Sequence, residues 1–348
     1  MLVFNKRAFF SPRSALQAFS QGVGDPQPIE LKSINTSLLN ASLVYNNPAD
    51  EVWSKTSVLG SDRNHVCEYT HASFDDTVPL CLRTYGDLVS DVVRNRGDWT
   101  ECQTIEDVWT SSMLAPFATD GDLFLDIGAN IGICSVHMAA ATDAKKVVAF
   151  EPSPANLFYF TSTLMENPSL RNEIEVRPIG LGDNATNVPI FAEPGNAGHS
   201  VLSAAFGEDG KAVPVLTGAV SVARLDDIFQ PPYPHIRLVK IDVEGFETKV
   251  VQGGWNLFSS GAVKSVFFEL SPFLISQHSS RLELINLFRE SGFVLKRPHE
   301  EEETIEGYEL ESVVCDSCPH CFANLVAVLP DGKPVVQPPL SADICNSW

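Results

Sequence analysis

The sequence has no long apolar run, and it carries few positive charges relative to its negative ones. A membrane-spanning helix needs about 20 consecutive apolar residues, and no segment of the 348 residues approaches that length. The chain has 24 Lys and Arg against 44 Asp and Glu, which gives a formal net charge of −20. A surface this acidic repels polyanions and gains little from counterion release. We therefore expect neither a transmembrane segment nor a nucleic-acid partner.

The segment from Met1 to Gly24 lacks acidic side chains and also lacks the apolar centre of a secretory signal. Lys6, Arg7 and Arg13 stand there among several serines. This composition is typical of an organelle transit peptide, but a plain disordered tail has the same composition. The sequence leaves both alternatives open, with the cytoplasm as the default compartment, and it does not indicate an oligomeric state.

The cysteines are mostly scattered, and three of the eight form one compact motif. Cys315, Cys318 and Cys321 are spaced as C-x2-C-x2-C, and His320 or Cys345 could supply a fourth ligand. A structural zinc site typically takes four ligands, often in two separated pairs. Free thiols or a disulfide fit a single short stretch better than zinc does, so we predict no bound metal. The cysteines alone do not indicate the redox compartment.

Composition and patterning divide the chain into four parts. Residues 1–60 are polar and interrupted by prolines, and we expect them to be loosely ordered. Residues 61–119 contain short apolar pieces and are expected to form an extension that packs on the core. Residues 120–330 carry the clearest order and form the main domain. Residues 331–348 are expected to be a C-terminal tail.

Short apolar strands alternate with helical segments throughout the main domain. The predicted strands are 123–127, 147–150, 174–177, 237–242, 264–269, 293–295 and 324–328, and the predicted helices are 133–141, 155–165, 246–252 and 281–290. This alternation indicates βαβ units and a doubly wound, mostly parallel α/β sheet. The strands are continuous apolar runs, which is typical of strands buried on both faces. Residues 184–230, with several glycines and short β-type pieces, predict a β-rich insertion before the fourth strand.

The loop after the first strand is the first candidate site. It reads Asp126-x-Gly128-x-Asn130-x-Gly132. In an open α/β sheet, ligands bind beyond the carboxyl ends of the strands. Glycines allow the backbone to approach a ligand and to adopt positive φ, and asparagine is a non-glycine residue that tolerates positive φ. The loop is therefore expected to hold a ligand.

The ligand of this loop is either a dinucleotide or S-adenosylmethionine. A dinucleotide site uses G-x-G-x-x-G, but here Asn130 and Ile133 occupy the second and third glycine positions. Asp126 would repel a pyrophosphate, whereas S-adenosylmethionine carries an ammonium and a sulfonium group. Glu151 closes the second strand, where an acid can accept hydrogen bonds from ribose hydroxyls. The pattern favours S-adenosylmethionine over a nicotinamide cofactor.

Five blocks of sequence, in the same order, resemble those of the FkbM-type methyltransferases. The blocks are Leu125–Gly132, Ala149–Pro152, Gly180–Asp183, Arg224–Asp227 and Val239–Gly245. The resemblance covers about residues 120–274, less than half of the chain. It implies a seven-stranded sheet of the S-adenosylmethionine methyltransferase (Rossmann-like) type, with the last strand antiparallel. It also implies S-adenosyl-L-methionine as cofactor and O-methylation of a hydroxyl on a sugar or small metabolite.

The resemblance also implies a set of cofactor-binding residues. Those implied to line the methionine part of the cofactor are Asp126, Gly128, Asn130 and Gly132. Glu151, with Pro152 beside it, is implied to hold the ribose, and Asp183 is implied to lie near the adenine. Gly180 departs from the family, which often has alanine there.

A second acidic strand end supplies the candidate catalytic residues. In Lys240-x-Asp242-x-Glu244, strand alternation places Lys240 and Asp242 on one face. A hydroxyl acceptor must lose a proton, and a nearby carboxylate or lysine can act as general base. Asp242 and Glu244 are the candidates; alternatively, all three side chains form a charge network that shapes the following turn. Weaker candidates for acceptor contact are Glu269, His199 and Ser200.

Two other classes of function stay open at this stage. One is a catalytically silent methyltransferase fold that serves as an interaction module, and the intact Asp126 loop with Glu151 argues against it. The other is a nicotinamide-dependent oxidoreductase, which Asp126, Asn130 and Ile133 disfavour. The expected partner is a small-molecule or glycan hydroxyl acceptor.

Overall fold

The computed structural model describes a large part of the chain. The described residues are 66–84, 86–119, 122–193, 196–201, 215–271, 273–276, 279–299, 304–306, 310, 313–314, 322–330 and 333–341. The predicted loose segment 1–60 lies outside them, as do Cys315, Cys318, His320, Cys321 and Cys345.

The secondary structure follows the predicted alternation of strands and helices. In chain order the strands are β1 (Glu68–His71), β2 (Pro79–Leu82), β3 (Leu123–Ile127), β4 (Lys146–Phe150), β5 (Ile174–Arg177), β6 (Gly180–Leu181), β7 (Thr186–Glu193), β8 (Asn196–Val201), β9 (Val215–Ala223), β10 (Ile236–Ile241), β11 (Ser265–Leu270), β12 (Val294–Lys296) and β13 (Ala323–Val328). The α-helices are α1 (Leu88–Arg96), α2 (Thr100–Thr110), α3 (Ile133–Ala141), α4 (Pro154–Glu166), α5 (Leu225–Ile228), α6 (Glu247–Gly253), α7 (Trp255–Ser259), α8 (Phe273–Ser276) and α9 (Arg281–Glu290).

The central sheet has the order β12-β13-β11-β10-β3-β4-β5 among the described strands. Strands β11, β10, β3, β4 and β5 run parallel to one another, and β13 is antiparallel to both β11 and β12. The predicted doubly wound sheet with an antiparallel last strand is confirmed. The chain winds outward in both directions from the β10–β3 pair, so the loops after these strands flank the topological switch point.

Both faces of the sheet are buried, as the continuously apolar strands predicted. Alternate residues of β3 belong to different layers of the core: Phe124 packs with residues of α2, α3 and α4, such as Trp109 and Phe160. Leu125 packs on the other face with residues of α6, α7 and α9, such as Phe288. The period-two alternation of side chains along a strand causes this division.

The predicted β-rich insertion forms a separate small sheet. Its strands have the order β6-β9-β7-β8. Strand β7 is antiparallel to β8 and β9, and the short β6 is parallel to β9. The insertion thus leaves the central sheet after β5 and returns to it at β10.

The elements before β3 are held to the core by a disulfide and by buried polar contacts. Cys102 of α2 is bonded to Cys134 of α3, and Cys67 is bonded to Cys81 within the β1–β2 pair. The spacing of these cysteines, 14 and 32 residues, did not indicate either pair. The buried guanidinium of Arg237 on β10 donates a hydrogen bond to the backbone carbonyl of Trp109 on α2 at 2.7 Å.

No helix among the described residues is both long and apolar enough to span a membrane.

Candidate active site

The glycine loop between β3 and α3 has the backbone conformation that its sequence predicted. Gly128, Asn130 and Gly132 have φ values of 86°, 53° and 83°. A Cβ atom on Gly128 would lie 1.8 Å from the carbonyl oxygen of Asp242, and one on Gly132 would lie 2.0 Å from the ring of Phe160. The loop is therefore pressed against the segment after β10 on one side and against α4 on the other.

Glu151, at the end of β4, fixes both this loop and the start of α4. Its Oε2 accepts a hydrogen bond from the Asn130 amide at 2.8 Å, and its Oε1 accepts one from the Ser153 amide at 2.7 Å. The residue is 5% exposed. Burial raises the pKa of Glu151 to about 7, while the amides of Ser153 and Asn130 act to lower it. A carboxyl group that changes charge near neutral pH stands at the predicted ribose position.

A first cavity opens at the carboxyl ends of β3, β4 and β10. It is lined by Ile127, Gly128, Asn130, Phe150, Glu151, Pro152, Asn156, Ile179, Gly180, Leu181, Asp242, Val243, Glu244 and Phe246. Six of the predicted site residues are thus brought together around one space. They are Gly128, Asn130, Glu151, Pro152, Asp242 and Glu244.

The other predicted cofactor residues do not line this cavity. Asp126 is completely buried behind the loop, where the Ser135 hydroxyl donates to its Oδ2 at 2.6 Å. Gly132 begins α3 as its N-cap. Asp183 is exposed and lines neither this cavity nor the one described below.

Lys240 links the two acidic strand ends. Its Nζ donates to the Gly128 carbonyl at 2.9 Å and lies 3.4 Å from Asp126 Oδ1 and 3.3 Å from Asp242 Oδ2. Burial acts to lower the pKa of Lys240, but the carboxylates of Asp126, Asp242 and Glu101 outweigh it and hold the pKa above its usual range. A lysine that stays protonated does not act as a base. The contacts therefore favour the charge-network interpretation for this residue.

A second cavity, which sequence reasoning missed, adjoins the first. It is lined by Leu88, Val89, Trp99, Glu101, Ala129, Asn130, Ile131, Ile133, Cys134, Lys240, Asp242 and Glu244. Asn130, Asp242 and Glu244 line both cavities. Four of the lining residues come from the segment before β3, which has no motif that marks them in the sequence.

Carboxyl groups concentrate where the two cavities meet. Burial, and then the negative charge of Asp242, raises the pKa of Glu101 to about 8 against the lowering effect of Lys240. Burial and the charges of Asp242 and Glu244 raise the pKa of Glu269 to about 9. The weaker candidate Glu269 thus belongs to the same charge environment although it lines neither cavity.

Glu247, also missed by sequence reasoning, shapes the turn after β10. Its Oε1 accepts hydrogen bonds from the amides of Val243 at 3.2 Å and Gly245 at 3.1 Å. Burial raises the pKa of Glu247 to about 8, and those amides act to lower it. This buried carboxyl holds the Asp242–Glu244 segment in place.

The described residues do not test two of the predictions, acceptor contact by His199 and Ser200 and the state of the cysteine motif. His199 and Ser200 belong to β8, but their side chains lie outside the described part of the structure, so acceptor contact stays a prediction. Within the described ranges, no three His, Cys, Asp or Glu side chains cluster in a way that could hold a metal. The cysteine motif lies outside those ranges.

The central sheet and the glycine loop at its switch point define the Rossmann-like fold of S-adenosylmethionine-dependent methyltransferases. Residues 126–295 match the family model described as the methyltransferase FkbM domain.

The chain is similar in sequence to curated methyltransferases. It is 31% identical over 153 residues to methyltransferase sdnD of Sordaria araneosa, over 37% of this chain and 59% of that protein. It is 26% identical over 217 residues to the hexuronic acid methyltransferase AglP of Haloferax volcanii, over 56% of this chain and 82% of that protein. A crystal structure of methyltransferase FkbM from Methylobacillus flagellatus KT has 15% identity and a TM-score of 0.38, covering 71% of this chain and 62% of that one.

Proposed function

We propose that this protein is an S-adenosylmethionine-dependent methyltransferase that methylates a hydroxyl group of a sugar or another small metabolite. The observation that carries the proposal is the pair of adjoining cavities at the switch point of the sheet. The first is lined by the glycine loop and Glu151, and the two share Asn130, Asp242 and Glu244. Together the two spaces can hold the methyl donor and admit the acceptor hydroxyl beside it.

The residues of the first cavity fit the proposed cofactor. Gly128 lines this cavity without a side chain, and a Cβ atom there would overlap the backbone of Asp242. Glu151 stands at the end of β4, where a carboxylate can accept hydrogen bonds from ribose hydroxyls. Asp242 and Glu244, which line this cavity, supply negative charge opposite an ammonium and a sulfonium. When bound, S-adenosylmethionine supplies an electrophilic methyl group.

The chain's own contribution to the reaction is positioning and proton removal. Asp242 borders both cavities, its side chain is 30% exposed, and Lys240 holds its Oδ2 at 3.3 Å. A carboxylate held in this way can accept the proton that an acceptor hydroxyl loses. Glu244 borders both cavities as well and is the second candidate for this role. Holding the acceptor in line with the donor lowers the entropic part of the barrier.

The acceptor is proposed from charge as well as from the family. The hexuronic acid methyltransferase named above acts on a sugar acid. A chain with a net charge of −20 is poorly suited to a nucleic-acid substrate. We therefore place the acceptor among small hydroxylated molecules and glycans.

Calorimetric titration with S-adenosylhomocysteine and, separately, with NAD tests the proposal. We expect S-adenosylhomocysteine to bind and NAD not to bind. Glu151→Gln should weaken the binding of S-adenosylhomocysteine about tenfold or more, because the charged hydrogen-bond acceptor for the ribose hydroxyls is lost. Glu166→Gln, at the exposed end of α4, is the matched control and should bind as the wild type does.

Other outcomes would change the proposal in defined ways. Binding of NAD alone would support an oxidoreductase. Binding of neither ligand would support a catalytically silent interaction module. After cofactor binding is established, transfer of labelled methyl groups to a panel of sugars and hydroxylated metabolites identifies the acceptor, and transfer only to carboxyl groups would overturn the O-methylation of hydroxyls.

A further inference from the structure

Two buried oxygen atoms in the second cavity accept no hydrogen bond from any described residue. They are Oε1 of Glu101 and Oδ1 of Asn130. A third such atom, Oδ1 of Asp126, lies behind the loop and has only the ion pair with Lys240 at 3.4 Å. Buried acceptors without donors are rare in proteins because leaving them unpaired is costly. Their grouping here indicates that a donor-bearing ligand completes the site.

The charge of the cavity specifies that ligand further. Among the described residues that line it, Lys240 alone is cationic, while Glu101, Asp242 and Glu244 are acidic. Lys240 is already engaged by the Gly128 carbonyl and by two carboxylates. The cavity therefore retains an excess of negative charge next to Glu101. A compact cation with several N–H donors complements it, whereas an anion would be repelled.

We propose that Glu101, which precedes the central sheet in the chain, binds the ammonium group of the cofactor's methionine part. This inference rests on the proposed function, since it concerns the same cofactor. The two cavities meet at Asn130, so a ligand whose nucleoside occupies the first can extend its amino-acid end into the second. The carboxylate of that end would face the first turn of α3, where Ile131 and Ile133 line the cavity and the helix dipole favours negative charge.

The fold fixes Glu101 relative to the glycine loop. Glu101 lies in the first turn of α2 and is adjacent to Cys102, which is bonded to Cys134 in the first turn of α3. Cys134 itself lines the second cavity. A covalent bond thus joins the helix that carries Glu101 to the helix that follows the loop. Glu101 is a cofactor-positioning residue that the methyltransferase motifs do not contain.

The test compares two ligands that differ by the amino-acid end. S-adenosylhomocysteine carries the ammonium group, and 5′-methylthioadenosine lacks it. Calorimetry on the full chain should show that Glu101→Gln weakens S-adenosylhomocysteine about 10- to 100-fold, the effect of losing a hydrogen bond to a charged group. The affinity for 5′-methylthioadenosine should stay within about twofold of the wild type. Asp107→Asn, an exposed acid on the same helix, is the matched control.

Thermal unfolding separates this role from a structural one. Burial and the like charges of Asp242, Asp126 and Glu244 disfavour the ionised form of Glu101 more than Lys240 favours it, so Glu101→Gln should not lower the melting temperature. Glu101→Asp keeps the charge on a shorter side chain and should bind S-adenosylhomocysteine more tightly than Glu101→Gln does. If Glu101 only supported the fold, its replacement would not weaken one ligand alone while leaving the melting temperature unchanged.

Two results would overturn the inference. Unchanged affinity for S-adenosylhomocysteine in Glu101→Gln would show that Glu101 does not bind the ammonium group. An equal loss of affinity for both ligands would show that Glu101 affects nucleoside binding or the fold instead. Either result leaves the proposed function standing, because the wild type still binds S-adenosylhomocysteine. Failure of the wild type to bind either ligand would instead refute the proposed function.

Discussion

Gly128 contacts the backbone of Asp242 so closely that a Cβ atom at Gly128 would stand 1.8 Å from the Asp242 carbonyl oxygen. The loop after β3 and the segment after β10 are therefore packed directly against each other at the switch point. The cofactor side and the acceptor side of the proposed site share this contact. A change at Gly128 is expected to affect both.

Gly128→Ala should abolish detectable binding of S-adenosylhomocysteine. The new methyl group overlaps backbone atoms, which cannot rotate away, and alanine at a φ of 86° adds roughly 1–2 kcal/mol of strain. Gly261→Ala is the control, because Gly261 has a similar φ of 80° but its Cβ would meet only the Pro334 side chain, at 3.3 Å and beyond, and it lines neither cavity. Calorimetry and thermal unfolding of both variants check the prediction, and normal binding by Gly128→Ala would show that the loop is not the cofactor site.

Binding of S-adenosylhomocysteine should strengthen as the pH rises from 6 to 8. The pKa of Glu101 is about 8, so the free protein carries a proton there that an ammonium ligand must displace. The titratable groups that face Glu101 are Asp242, Lys240, Asp126, Glu244 and Glu269. With one proton released, the association constant rises by up to about tenfold per pH unit below the pKa and levels off above it.

Calorimetry in buffers of different ionisation enthalpy counts the released protons. In Glu101→Gln the slope near pH 8 should disappear. A slope nearer pH 7 should remain, because Glu151, with a pKa of about 7, must also be ionised to accept from the ribose. An unchanged pH profile in Glu101→Gln would contradict the assignment of the proton to Glu101.

His137 should make the stability of the fold dependent on pH. Its Nε2 lies 2.7 Å from Glu106, and its Nδ1 lies 3.0 Å from Asp98 in an ion pair that lacks hydrogen-bond geometry. Burial acts to lower the pKa of His137, but Asp98 and Glu106 outweigh it and raise the pKa. Protonated His137 therefore stabilises the fold fully below about 6.5, the pKa of histidine in the unfolded chain. This stabilisation is lost as the pH rises through the higher pKa that His137 has in the folded protein.

Melting temperatures between pH 5.5 and 9 check this expectation. The difference between the wild type and His137→Gln should be largest at the acidic end and should shrink toward alkaline pH. His71→Gln, at an exposed histidine of β1, is the matched control. A difference that does not vary with pH would mean that His137 stabilises the fold in its neutral form.

The two disulfides should have similar effects on stability but different effects on ligand binding. Replacing Cys102 and Cys134 by serine opens a link across 32 residues, which should lower the free energy of unfolding by about 3–4 kcal/mol. It should also weaken S-adenosylhomocysteine, because α2 carries Glu101. Replacing Cys67 and Cys81, 14 residues apart, should cost about 3 kcal/mol and leave binding unchanged. Denaturant unfolding of both double variants measures their free energies of unfolding, and calorimetry measures their affinities for S-adenosylhomocysteine.

The same disulfides favour an oxidising compartment over the cytoplasmic default. Stable disulfides form in secreted, periplasmic or lumenal proteins and are rare in the cytosol. We expect mass spectrometry of protein isolated without reductant from its natural source to show both links intact. Four free thiols at Cys67, Cys81, Cys102 and Cys134 would contradict this.

Local features of the sequence determined most of the fold. The predicted strands and helices of the central domain fall within one residue of the observed ones. Continuous apolar runs of strand length, helical segments between them and glycines at turns are local signals, and a parallel α/β sheet repeats them in a fixed order. For the same reason the glycine loop, Glu151 and the Asp242 segment were predicted as neighbours at one edge of the sheet.

The tertiary structure decided what no local signal encodes. Glu101 and Trp99 reach the site because α2 packs beside α3, and nothing in a window of residues around them reports that contact. The sequence left open whether Lys240 takes part in catalysis or in a charge network, and its distances to Asp126 and Asp242 show a buried ammonium held between two carboxylates. A residue's charge state and its partners depend on groups far away in the chain, whereas the propensity to form a strand, a helix or a turn depends on its neighbours in sequence. The sequence by itself therefore determined the scaffold and the cofactor loop, and only the folded chain decided which acids face the second cavity.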